Sequence, residues 1–301
     1  MWKQALWGWA FASLPSLGLA APSLATATIV EGDFVLIRDA TLYGLAEGAR
    51  LQKDDIVQSN AAGRFMRFEF ADGVIVDLAP NTRVMLSPKA GTDRGKIPPR
   101  LYLLQGTVKL SVPANVPASG TVLASANLDL PAVAKGVVVS AMPGETAAFA
   151  ESGSIALVER RDFKPQPSQS LRSGQFYART GDGKAQIVAR PSSPFIQSLP
   201  KAFLDTLPPR LELFKGRDVL LKPSASSIAY ADVQPWIDAE PALRPQFMTR
   251  WRVLTKSPEF RAGLVAGMQA HPEWDRLLFP ERYRPKAQPG GTTHLARQPA
   301  P

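Results

Sequence analysis

The chain has 301 residues, 45% of them hydrophobic and 20% charged, with a formal charge of +9. That is enough apolar material for a packed core in one large or two ordinary domains. There is no Cys, which excludes disulfides, thiolate metal sites and cysteine nucleophiles.

Lys3 gives a minimal positive start, an apolar stretch fills residues 5–21, and Ala25-Thr26-Ala27 fits a small-residue cleavage pattern before Thr28. Gly18-Leu19-Ala20 offers an earlier cut. Pro15 and Pro22 would interrupt a membrane helix, and the stretch is short of the ~20 residues that a span needs. Residues 1–27 are therefore predicted to be a cleaved signal peptide, which places the mature chain in the periplasm. No second apolar run is long enough to cross a bilayer, so the mature chain is expected to lack a transmembrane segment.

Residues 28–190 are predicted to form a β domain. Residues 30–38 are rich in β-formers, and Phe65, Met66, Arg67, Phe68, Glu69 and Phe70 alternate between apolar and polar. Asp72-Gly73 is a hairpin signal before Val74, Val76 and Leu78, which should share a core face with Phe68 and Phe70. A turn at Ala79-Pro80-Asn81, a pair of strands around Gln105-Gly106, and further short runs up to residue 189 continue the pattern. The spacing predicts a sandwich, a roll or a short β-solenoid. Residues 89–100 and 161–170 are polar and turn-rich, and are predicted to be loops, the first of them mobile.

From Pro191 the texture changes, and residues 191–286 are predicted to form a small helical bundle. Short helices are expected around 200–207 and 232–239. Leu243, Phe247, Trp251 and Leu254 recur at helical spacing. Ser257-Pro258-Glu259 is a helix start, with a Ser N-cap, Pro at the first position and an acid near the positive end of the dipole. His271-Pro272-Glu273 repeats that start. Residues 287–301, with His294, have almost no apolar content and read as a disordered tail.

The chemistry-bearing residues are sparse. Only two His are present, and no H-x-x-x-H pair or G-x-S-x-G elbow accompanies them. His271 is expected to cap a helix or lie at the surface. No Gly-rich phosphate loop precedes a helix, and no cofactor is expected. The acids of the β region, Asp54, Asp55, Asp72 and Asp77, are the material a cell-wall hydrolase would need, since glycoside cleavage takes two flanking carboxyls. The basic residues are scattered rather than blocked, so nucleic acid is not the expected partner. Arg250, Arg252, Trp274 and Arg276 are the candidate partner surface.

The run from Val30 to Leu86 resembles a FecR-type domain. Gly48, Leu51, Asp55 and Ile56 match a G-x-L-x-x-G-D-x-I stretch in part. Gly63 and the following strand, Asp72-Gly73, and Pro80 through Leu86 match the later pieces. Gly48, Asp55, Gly63, Asp72, Gly73 and Pro80 are the fold-motif residues on this reading. The resemblance implies a periplasmic β domain and, in the best-known members, transfer of a signal from an outer-membrane transporter to a sigma factor. The combined expectation is a non-catalytic periplasmic binding, scaffold or signalling module that recognises an envelope protein or a cell-wall polymer. The alternatives are a wall-active hydrolase and a soluble relative of the sigma-factor regulators.

Overall fold

The computed structural model describes residues 22–116, 121–217 and 219–284. The apolar leader over 1–21 and the tail over 287–301, with His294, lie outside the described residues.

Among the described residues, fifteen strands form one hydrogen-bonded sheet. The first seven are β1 (Ser23–Arg38), β2 (Thr41–Gly44), β3 (Arg50–Gln52), β4 (Ile56–Phe70), β5 (Ile75–Leu78), β6 (Arg83–Leu86) and β7 (Leu101–Val112). Then come β8 (Leu123–Ala124), β9 (Leu128–Val133), β10 (Lys135–Met142) and β11 (Glu145–Ser152). The last are β12 (Ser154–Arg161), β13 (Lys164–Arg172), β14 (Phe176–Thr180) and β15 (Gln186–Val188). All pairings are antiparallel except β7 with β8. The sheet rolls around one core that draws on both ends of the strand order. A solenoid would stack parallel coils, so the roll is the member of the predicted set that this pairing matches.

The hairpin at Asp72-Gly73 follows the predicted zigzag. Phe68, Phe70, Val74, Val76 and Leu78 all lie in the core. The loop is one residue longer than the two-residue turn the dipeptide suggests. Phe70 N–H donates to Val74 O, and Gly73, at φ 86°, closes the turn by donating to Phe70 O. This is the type I turn with a left-handed third residue that Gly favours.

The strands expected on either side of Gln105-Gly106 are one strand, β7, bent at Gly106. Its first half pairs with β6 and its second half with β5 and β10. Gly106 has φ 103°, and a Cβ there would lie 2.5 Å from Thr82 Cα. Backbone strain and a clash therefore act together. Gly106→Ala is expected to lose about 2–3 kcal/mol in urea unfolding; a change within a few tenths would show that the bend relaxes freely.

Two cross-strand rows decide what covers the roll. Ile37, Ile56, Met85, Tyr102 and Ala124 are register partners across β1, β4, β6, β7 and β8. The helices among the described residues are α1 (Ser193–Ser198), α2 (Lys201–Leu204), α3 (Tyr230–Ile237), α4 (Arg244–Arg250), α5 (Pro258–Ala266) and α6 (Asp275–Leu278). This first row is apolar, and α3 to α6 pack on it. Val233, Trp236, Phe247, Trp251, Phe260 and Trp274 share one buried cluster with the sheet row. The predicted bundle is therefore no separate core. Helices this short cannot enclose their aromatics alone, and the sheet supplies the missing wall. The predicted start at Ser257 holds, with its Oγ accepting from Phe260 N–H at 3.4 Å.

The second row runs Ile29, Arg67, Asp77, Lys109, Val138 and Phe149. A strap formed by α1, α2 and residues 205–211 lies across it. Lys109 Nζ donates to Phe203 O at 2.6 Å, and Arg67 Nη1 donates to Leu207 O at 3.0 Å. Glu69 accepts from the backbone N–H groups of Arg210 and Leu211 at 2.9 and 3.0 Å. Phe203 and Leu199 pack against Ile29, Phe65 and Val138 between these polar ties.

Three further expectations change. The β domain begins at Ser23, so cleavage after Ala27 would cut off the part of β1 that pairs with β3 and β4 and carries core residues Ala25 and Ala27. The earlier cut at Gly18-Leu19-Ala20 would leave that strand whole. Residues 161–170 are largely strand β13, tolerated despite Pro165 and Pro167 because β13 is a sheet edge. Residues 89–100 are not a free excursion, because Arg94 at their centre is buried and anchored to the β8–β9 hairpin at Ser125 and Asp129 and to Glu240.

Candidate functional site

The six fold-motif residues serve the fold. Gly48, at φ 87°, turns tightly beneath Phe214 and Val219. Asp55 is buried and accepts from Arg38 Nε and Nη2 at 2.8 and 2.6 Å and from Gln52 N–H at 2.7 Å. Gly63 pairs with Gly32 where β1 and β4 shift register. Asp72 holds Val74 N–H and pairs with Arg100 at 2.7 Å. Pro80 precedes Asn81, which adopts φ 55° and ties the turn to Asn60 O.

These geometries bear on the acids. Asp55 is committed to Arg38, Asp72 to Arg100 and Asp77 to Arg67. Asp77 faces out from the core, as its place in the strand suggests, but the strap covers it. Asp54 is partly buried, and desolvation raises its pKa against the pull of Lys53, Arg250 and Lys89. Three of the four carboxyls a hydrolase would draw on are thus taken up by structural ion pairs. Among the described residues, no group of three His, Asp or Glu is placed to hold a metal ion.

The candidate partner surface divides in two. Trp274 is fully buried in the helical cluster, which corrects its assignment to a surface. Arg250 is also withdrawn from that role. Its Nε, Nη1 and Nη2 donate to the backbone carbonyls of Asp39, Asp54 and Ile37 at 2.9, 2.5 and 2.5 Å, which clamps α4 to the sheet. His271 is not at the surface either. Its ring is buried, with Nδ1 2.8 Å from Asp238 Oδ1 and Nε2 3.1 Å from Leu264 O.

Arg252 and Arg276 do remain exposed, and they line a hollow of about 350 Å³ with Met248, Thr249, Glu273 and Leu277. Next to it lies a larger hollow of about 610 Å³ between the 89–100 segment and α4. Lys89 and Lys96 stand on its rim, and Ala90, Gly91, Pro98, Pro99, Ala242 and Pro245 form much of its wall. Thr249 lines both hollows. Sequence reading marked the 89–100 segment as polar and turn-rich but gave no sign that it would lie beside α4.

Arg94 fixes the wall of the larger hollow from beneath. It donates to Ala90 O at 2.7 Å, Ser125 O at 2.7 Å, Asp129 at 2.9 Å and Glu240 at 2.6 Å. Burial works to lower its pKa, but the Glu240 hydrogen bond and the charges of Asp129 and Glu240 outweigh that and hold it raised. Trp236 Nε1 donates to Gln58 at 3.2 Å and adds a second tie between helices and sheet.

Fold and site together define a mainly β protein capped by short helices, with a basic groove beside α4. No family model matches the chain, and no curated protein matches it at a significant level. Two solved structures, each described as a "putative anti-sigma factor" from Parabacteroides distasonis ATCC 8503, are similar to part of it. Both give a TM-score of 0.36 at 14% identity and cover 45% and 48% of this chain. The chain spans 59% and 65% of their lengths. Among the described residues, no helix is long and apolar enough to cross a membrane.

Proposed function

We propose that this chain is a non-catalytic binding module of the bacterial cell envelope, exported to the periplasm, that recognises a protein partner through the groove beside α4. The observation that carries this reading is the distribution of uncommitted charge. The β-region acids Asp55, Asp72 and Asp77 are tied to cations. Lys89, Lys96 and Arg252 make no ion pair among the described residues and stand around two hollows. Exposed segments held on a rigid scaffold suit recognition. A cell-wall polymer is the other partner class that the sequence suggests, and the groove walls favour it less. They offer no aromatic platform for sugar rings, and prolines 98, 99 and 245 have no N–H to donate.

A photo-crosslinking residue at Thr249, which is exposed between the hollows, tests the reading in living cells. The expected result is a discrete adduct to an envelope protein that is absent when the label sits at Ser170 on the β13 edge. The same adducts from both positions, or none from Thr249, would refute it.

A further inference from the structure

Resting on that reading, we propose that the two hollows beside α4 form one docking groove for an extended acidic segment of the partner protein, with apolar side chains alternating with Asp or Glu. Three features of the groove carry this.

The first is continuity. Thr249 belongs to both hollows, so a chain crossing α4 at that residue touches the larger hollow of about 610 Å³ and then the smaller of about 350 Å³. An extended chain rises ~3.3 Å per residue and turns alternate side chains to opposite sides. Every second residue can therefore enter a hollow while its neighbours face the rim.

The second is chemistry. The larger hollow is walled by small or ring-closed apolar residues and suits aliphatic side chains. The rim is cationic: Lys89 and Lys96 at one end, Arg252 and Arg276 at the other. Arg276 also lies over the Tyr283 ring, with its guanidinium carbon 5.9 Å from the centroid. The acid lining the groove, Glu273, has Arg244 3.7 Å away as a partner. An acidic segment meets complementary charge along its length, and a basic one is repelled.

The third is preorganisation. The 89–100 segment is anchored through Arg94 to Ser125 O, Asp129 and Glu240, and Gln246 Nε2 donates to Lys89 O at 3.4 Å. The groove exists before the partner arrives, so binding does not have to order it.

Fluorescence anisotropy with fluorescein-labelled octapeptides tests the proposal on the purified chain. The probe alternates Glu and Val; the controls replace Glu by Lys, or Val by Ser. The Glu/Val peptide is expected to bind saturably and to weaken with added salt. Both controls are expected to bind at least about tenfold more weakly, as is the Glu/Val peptide with the Lys96→Glu/Arg252→Glu chain. Both substituted residues are exposed, and circular dichroism checks that the variant folds. No saturable binding, equal binding by the variant, or equal binding of the Glu/Ser peptide overturns the proposal. Dextran sulfate displacing the peptide from wild type and variant alike also overturns it, since the surface would then be a general polyanion patch. A lost peptide signal beside a retained Thr249 adduct condemns the acidic-segment inference alone. Loss of the adduct condemns the binding reading beneath it.

Discussion

Arg94→Met is expected to destabilise the fold by about 3–5 kcal/mol, because it leaves a buried carboxylate without a cation. Arg94 and Glu240 are both almost fully buried, with side chains 1% exposed. Asp129 keeps a second partner, Arg160 Nη1, at 2.9 Å, whereas the ion pair Glu240 makes among the described residues is with Arg94. Removing the guanidinium therefore strands Glu240 beneath the helices, next to the buried Tyr102 ring. Urea unfolding measures the loss. The double variant Arg94→Met/Glu240→Leu is expected to recover much of it, since replacing both members of a buried pair with apolar groups removes the desolvation penalty. If the double variant is as unstable as the single, the cost comes from lost anchoring of the 89–100 segment rather than from the stranded charge. In either case the wall of the larger hollow is loosened, so stability and the shape of the proposed groove are coupled through this one side chain.

Much of the β roll is legible in the sequence because strand chemistry is local. The alternation of Phe65 through Phe70, the Asp72-Gly73 turn and the answering Val74, Val76 and Leu78 specify a hairpin whatever surrounds it. The Ser257-Pro258 helix start is local in the same way, and the structure keeps it. Features that depend on distant partners do not show. Pro165 and Pro167 look like strand breakers until β13 is known to be an edge. Trp274 and Arg250 carry the residue types of an interaction surface, but their side chains turn inward to a sheet row contributed by residues far earlier in the chain. No spacing in the helical segment could reveal that the sheet completes its core. Arg94 sits in a segment whose composition reads as a solvated loop, and its acids come from β9 and from just past α3. The larger hollow was hidden for the same reason: its two walls meet only after the helices dock.

Arg67→Met should destabilise the chain by about 3–5 kcal/mol at neutral pH, and the loss should shrink as the pH is lowered. Arg67 grips Asp77 with two hydrogen bonds of 2.6 and 2.9 Å, and both side chains are nearly inaccessible. Burial is the largest influence on Asp77 and pushes its pKa above the ordinary value, although Arg67 pulls the other way. The folded chain therefore holds the Asp77 proton more tightly than the unfolded chain does. Below the unfolded value of about 3.9 both states are protonated and ionisation carries no penalty. As the pH rises through the folded value, the unfolded state gains by ionising first, and stability falls. Removing Arg67 takes away the opposing pull, moves the folded value higher and widens the interval over which stability is lost. Urea unfolding at about pH 4.5 and pH 7 should show the smaller difference from wild type at the acid end. An equal penalty at both would mean that the lost contacts to Leu207 O and Pro208 O, not the stranded carboxylate, set the cost. That result would move the weight from the charge row to the strap, which Lys109 and Glu69 would then hold without Arg67.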